Sequence, residues 1–200
     1  TGRYYAWVEP DSISRFLLEK RKRASLNRRS AFSLFSKKWV DDSKTLPCLH
    51  ARIAYRQVSR ATDTRTLRVT LIPPNVVLPN FSPYLLWPTG NEKHQAYLLG
   101  ILASIPLDWY ARRFVEENLS KFLFESFPIL RSDLNNQISH RIIEVAGRLA
   151  CPDKRFAEWA KRVGVEYGPI PEDEKDDMIA ELDAVVAHLY ALNEKQLRHI

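Results

Sequence analysis

Hydrophobic positions change their period along this chain. Ala51 to Ser59 and Thr66 to Ile72 are strand-like, the second alternating Leu67, Val69 and Leu71 inward with Arg68 and Thr70 outward. Between them Ala61-Thr62-Asp63-Thr64 is turn chemistry, so Arg60 and Arg65 are predicted to flank a hairpin tip. Pro73-Pro74 ends the second strand, because proline supplies no ladder donor. Ahead of this pair, Asp11 is placed to cap a helix over Ser12 to about Arg23, with Ile13, Phe16, Leu17 and Lys20 on one stripe.

Beyond Pro88 the period becomes helical. Thr89-Gly90-Asn91-Glu92 has capping-box spacing, and Tyr97, Leu98, Ile101, Leu102 and Ile105 follow at helical intervals. Pro106 closes that helix. A second opens at once, with Leu107, Tyr110, Ala111, Phe114 and Val115 inside and Arg112, Arg113, Glu116 and Glu117 outside. Phe122 to Phe127 is expected to return as a short strand before Pro128. Leu134, Ile138, Ile142, Val145 and Leu149 form the next stripe, then Phe156, Trp159, Ala160 and Val163 before a Gly164 stop. Gly168 to Pro171 is the best loop candidate. A last long helix over Glu172 to Tyr190 carries Met178, Leu182, Val185, Val186 and Leu189, and Asn193 caps a final turn. The expected class is α+β. A small twisted sheet with helices occupies residues 1–130 and a helical subdomain residues 131–200.

Composition excludes disorder and a bilayer span. At 45% hydrophobic and 11% aromatic over 200 residues the chain can bury a substantial core. No run approaches the roughly 18 apolar residues a membrane helix needs, and Thr1-Gly2-Arg3 opens no secretion signal, so the cytoplasm is the expected location and no membrane partner is expected. The chain starts without methionine, which suggests a fragment of something longer. Cys48 and Cys151 cannot make a disulfide framework, and Cys48-x-His50 lacks the further ligands of a zinc site.

Charge changes the picture more. The net +6 combines +10 over residues 1–70, with 16 Lys and Arg against 6 Asp and Glu, and −4 over residues 71–200, with 14 against 18. A cationic half concentrates polyanions around itself. Arg52, Arg56, Arg60, Arg65 and Arg68 are spaced through the strand-like region, and a guanidinium suits either a phosphate or a guanine edge. Arg60, Arg65 and Arg68 are the first candidates for contacts near or in the major groove. Arg56 and Arg52 come second, because strand arginines also pair within a module. Lys20, Arg21, Lys22, Arg23, Arg28, Arg29, Lys37 and Lys38 are candidates for gripping phosphates. Phe32, Phe35 and Trp39 lie among the last of these, where they fit either base stacking or a small core.

Several of these segments resemble, in the same order, the target-recognition region of adenine-specific DNA methyltransferases of the fused restriction-modification kind, type IIG and its relatives in phage defence. The likeness is carried by Arg52-Ile53-Ala54-Tyr55-Arg56, by Arg60-Ala61-Thr62-Asp63-x-Arg65-Thr66 and by Ile72-Pro73-Pro74. It continues through Leu98-Leu99-Gly100-Ile101-Leu102-Ala103-Ser104, Leu107-Asp108-Trp109-Tyr110-Ala111-Arg112, Phe122 to Pro128, and Ile179 to Ile200. Where the family tends to place Gly after the Leu189-Tyr190 pair, this chain has Ala191.

The resemblance implies a module that grips double-stranded DNA and reads bases, while a methyltransferase domain upstream in the same chain flips an adenine and methylates it. S-adenosylmethionine would belong to that domain. These 200 residues have no glycine-rich cofactor loop, and Ile72-Pro73-Pro74-Asn75 has the prolines of an adenine-holding quartet without its flanks. No catalytic residue is therefore expected in them. Pro152-Asp153 with Asp173-Glu174-Lys175 superficially matches a carboxylate nuclease, but the first opens a helix and the second sits in an acidic helix start. The five histidines show no spacing with Ser, Cys or Asp that suggests a nucleophile and base. A reading of another class also stands: a helical protein-docking scaffold, or a stand-alone specificity subunit, that touches DNA only weakly.

Overall fold

The computed structural model of the protein describes residues 9–86, 91–131, 133 and 136–200. Thr89, Gly90 and Leu134, to which the sequence gives roles in a cap and a stripe, lie outside them. The class is α+β with helices dominating. The chain forms two compact units, residues 1–50 and 51–200. Helices after residue 130 pack on one that precedes it.

The first unit contains helix α1 (Pro10–Ser25), the short helix α2 (Lys37–Asp41) and three 3-10 turns. Asp11 does not cap α1. Glu9 is the flanking residue, Pro10 takes the first helical position that its fixed φ favours, and Asp11 sits in the first turn, where the helix dipole suits its charge.

In the second unit strands β1 (Arg52–Tyr55) and β2 (Val69–Ile72) pair antiparallel, with Ile53 opposite Leu71 and Tyr55 opposite Val69. Both are shorter than the sequence suggests. Beyond Tyr55 the chain soon changes partners: Gln57 accepts a hydrogen bond from the Leu119 N–H at 2.7 Å, and the Ser59 N–H donates to the Glu117 carbonyl at 3.1 Å. The other edge of β1 is covered as well, since Tyr55 donates to the Pro83 carbonyl and Leu85 donates to that of Ile53.

Among the described residues there follow α3 (Glu92–Ala103), α4 (Ile105–Ala111), α5 (Lys121–Glu125), α6 (Gln137–Leu149), α7 (Ala157–Val163), α8 (Glu172–Leu189) and α9 (Glu194–Leu197). Helix α3 is the centre of the unit: it meets both strands and packs on α4, α6, α7 and α8. A Cβ at Gly100 would lie 2.7 Å from Ile142 Cγ2 and 2.9 Å from the Ala146 methyl, so α3 and α6 approach closely only because this position has no side chain. Ile53, Tyr55, Leu67 and Leu71 from the hairpin join Tyr97, Ile101, Leu102, Ile142, Leu182 and Val186 in one core. Burial pushes the Cys151 thiol up to about 11, so it stays protonated at neutral pH.

The segment from Phe122 to Phe127 is helical at its start, not a strand. The Ser120 hydroxyl accepts the Leu123 N–H at 3.2 Å and nucleates α5. Its aromatics then divide at helical spacing: Phe124 stacks on Tyr55 with centroids 4.4 Å apart, Phe127 packs against Phe124, and Phe122 points to solvent. Pro106 opens α4, within its first turn, while α3 already ends at Ala103.

Candidate nucleic-acid interface

The connection from β1 to β2, residues 56–68, is a broad loop rather than a tight hairpin tip, and a polar framework fixes its shape. The Ser59 hydroxyl donates to the Thr66 carbonyl at 2.5 Å, and the Thr66 hydroxyl donates to the Arg60 carbonyl at 3.0 Å. The decisive anchor comes from α4. The Arg112 guanidinium donates to the carbonyls of Ala61 at 3.0 Å, Asp63 at 2.9 Å and Thr64 at 2.6 Å. Its Nε donates at 2.9 Å to Asp108, whose other oxygen accepts the buried Leu67 N–H at 2.6 Å. Asp108 is only 4% exposed, so this carboxylate is a structural anion held between donors. The sequence marks Arg112 only as an outward-facing helix residue and gives Asp108 no role. Their spacing of four, which suits a helical ion pair, is the one local signal for the unit they form.

This anchoring divides the five arginines. Arg56, Arg60 and Arg68 are exposed. Arg60 faces Glu117 at 4.0 Å, both side chains largely in water, an arrangement that binds its charge weakly. Arg68 is oriented by a 3.0 Å hydrogen bond from its Nε to the Arg65 carbonyl. Arg65 turns the other way, toward Asp183 of α8 at 3.6 Å, with the two side chains 31% and 13% exposed. Asp183 also accepts the Ile105 N–H at 2.7 Å and so caps α4, which has no cap of its own. Arg52, 4% exposed, donates to the Val76 carbonyl at 2.7 Å and lies over the Tyr84 ring. Of the arginines expected at DNA, Arg65 and Arg52 are thus engaged within the fold.

In the first unit Arg21 is likewise internal. It is 2% exposed, donates to the Asp42 and Thr45 carbonyls at 2.7 and 3.0 Å, and stacks over Trp39. Trp39 in turn stacks on Phe35 at 4.2 Å, so these aromatics and Arg21 make a small mixed core. Lys20, Lys22, Arg23, Arg28, Arg29, Lys37 and Lys38 are exposed. Lys22 and Arg23 have loose carboxylate neighbours in Asp41 at 3.6 Å and Glu19 at 3.8 Å. Arg21→Ala is expected to cost this unit about 2 kcal/mol by leaving the Thr45 carbonyl without its donor and emptying the space over the Trp39 ring. Arg28→Ala with Arg29→Ala should leave its melting temperature unchanged and, if these cations grip phosphates as the sequence leads one to expect, flatten the log-log salt dependence of duplex binding by about 0.9 for each phosphate no longer neutralised. Thermal melts and salt titrations of the two variants check both outcomes.

The carboxylates with a nuclease-like spacing lie on different elements. Asp153 caps a 3-10 turn and is held by Arg155 at 2.7 Å, which lowers its pKa, while Asp173 and Glu174 lie in the first turn of α8. Among the described residues no helix is long and apolar enough to cross a membrane. No protein-family model, curated protein or solved structure matches the chain.

Proposed function

We propose that the chain is the double-stranded DNA recognition module of an adenine-specific DNA methyltransferase of the restriction-modification kind, working in the cytoplasm. The observation that carries this reading is the framed loop: Arg112 and Asp108 hold residues 61–67 rigid from below, and Arg56, Arg60 and Arg68 stand exposed on or beside the loop. A preset backbone geometry lets a side chain address a base edge without first ordering its loop. Two of the segments whose order resembles the target-recognition region, Arg60 to Thr66 and Leu107 to Arg112, are the two partners in this framework, which supports the likeness. Transfer of a methyl group from S-adenosylmethionine would fall to a catalytic domain elsewhere in the parent chain.

Arg60 is the base-reading candidate, because its side chain is exposed at the head of the loop and only weakly paired. Selecting sites from a randomised duplex pool should give a defined preference for the wild-type module. Arg60→Ala should relax that preference at one position and weaken the preferred site by about 1–3 kcal/mol, with less loss on random DNA. Identical preferences in the two pools would take Arg60 off the reading surface. Failure of the folded wild type to enrich any duplex would overturn sequence-specific recognition and leave the docking-scaffold alternative.

A further inference from the structure

We propose that Arg56 and Arg68 form a clamp for one phosphate oxyanion, a contact that positions DNA without reading it. This assignment deepens the DNA-binding reading and rests on it for what carries the phosphate. The anion chemistry stands on the sheet itself.

The strand register places the two arginines opposite each other on one face of the sheet. Tyr55 pairs with Val69, and the Arg56 N–H donates to the Arg68 carbonyl at 2.9 Å, which sets Arg56 directly opposite Arg68. Residues opposite one another on antiparallel strands share a face, with Cα atoms about 5.5 Å apart in a hydrogen-bonded pair. The same face continues to Thr70, two residues along β2, and to Ser82, which lies opposite Arg56 on the other side because Ala54 bridges Tyr84. Two arginines thus occupy opposite positions on one face, with a hydroxyl residue at the neighbouring position on each side.

Like charges directly opposite each other destabilise a sheet. No carboxylate compensates the pair: among the described residues neither Arg56 nor Arg68 is in an ion pair, a lack shared with Arg113, Arg131 and Arg148 of the same unit, whereas Arg60, Arg65, Arg112, Arg141, Arg155, Arg162 and Arg198 each have a carboxylate neighbour. A tetrahedral oxyanion between the two guanidiniums removes the repulsion and accepts from both. Arg68 is already oriented for this. Its Nε is committed to the Arg65 carbonyl, so its two terminal nitrogens are the donors it presents.

The test uses the full 200-residue chain as wild type, Arg56→Thr and, as a control cation outside the clamp, Arg113→Ala. Melting is measured in sodium chloride and in sodium sulfate at equal ionic strength, and binding to duplexes of several sequences is titrated against salt. Removing the repulsion should raise the melting temperature of Arg56→Thr in chloride by about 1–3 °C. Sulfate should raise that of wild type and Arg113→Ala more than that of Arg56→Thr. Duplex affinity of Arg56→Thr should fall alike on all sequences, with the salt slope flattened by about 0.9. A melting temperature that drops in Arg56→Thr, or a sulfate response equal to wild type, overturns the clamp. A loss confined to one sequence overturns it too, since Arg56 would then read a base. If the sulfate response is lost in Arg56→Thr while wild type binds no duplex, the clamp stands for a free phosphate and the DNA reading fails.

Discussion

Asp108→Ala is expected to lower the stability of the 51–200 unit by about 3 kcal/mol or more, because it strands two donors at once in a buried place. The Leu67 N–H loses its acceptor at 2.6 Å, and the Arg112 guanidinium loses the carboxylate that holds its Nε at 2.9 Å. With its counter-ion gone, Arg112 no longer has reason to remain under the loop, and three backbone carbonyls lose their donor with it. A loss of that size corresponds to a fall of roughly 6–12 °C in melting temperature for a unit of this length. Asp108→Asn should fall between, since its amide oxygen still accepts from Leu67 but its charge is gone. The double variant Asp108→Ala, Arg112→Ala should cost less than the two single changes added, the mark of groups that act as one. Limited proteolysis should first cut near Thr62 and Thr64, the exposed positions of the freed loop. A melt within a degree or two of wild type would show that the Ser59 and Thr66 hydroxyls shape the loop unaided.

The consequence for recognition is separable from the loss of stability. If the chain reads DNA as proposed, then at a temperature where the variant is still folded a loose loop should bind it with nearly the wild-type salt dependence, because its cations remain, but with a blurred base preference. Positioning by phosphates survives disorder better than reading of base edges does.

Much of the helical architecture was legible in the sequence because it is set by local spacing. The stripes through Ile142, through Trp159 and Val163 and through Leu182 and Val186 are buried as their spacing requires, Gly164 adopts the left-handed C-cap with φ 92°, and Asn193 with Gln196 closes a capping box. The alternation of Leu67, Val69 and Leu71 against Arg68 and Thr70 is likewise realised. Part of what failed was local, as with Asp11 and Pro106, and part depended on partners distant in sequence. Phe122 to Phe127 looks like a strand until the Ser120 cap and the Tyr55 ring that Phe124 meets are known. The strands stop short because Gln57 and Ser59 pair with residues 117–119. At the candidate site the arginines could be seen but not sorted. Whether a guanidinium stays largely in water beside a loose carboxylate, as at Arg60, or turns to a half-shielded one about 120 positions away, as at Arg65, depends on which elements pack beside it. The same holds for Arg21, whose basic neighbours conceal a buried side chain.

Arg65→Ala is the change that decides between reading and holding at that position, and the expected outcome is loss of stability with base preference intact. Arg65 faces Asp183, whose pKa is raised chiefly by burial and held back by the Ile105 N–H and the Arg65 charge. A carboxyl raised in the folded state binds more protons there than in the unfolded chain, so its contribution to stability is greatest at acid pH and declines as pH rises through the folded value. Removing Arg65 removes one of the influences that hold the value down. The folded pKa climbs further, the declining window extends upward, and the charged form, now facing only the Ile105 N–H, costs more. The deficit of Arg65→Ala should therefore be greatest at neutral pH, about 2 kcal/mol for a pair that is mostly but not wholly shielded from water, and should shrink as pH falls toward the ordinary aspartate range. Asp183→Asn should keep the cap on Ile105 and abolish this pH dependence, and adding Arg65→Ala to it should restore none. Urea denaturation of the four proteins across that range measures each contribution. A deficit that stays constant with pH would dissolve the link between Arg65 and Asp183, and a changed base preference in folded Arg65→Ala would return this arginine to the reading surface beside Arg60.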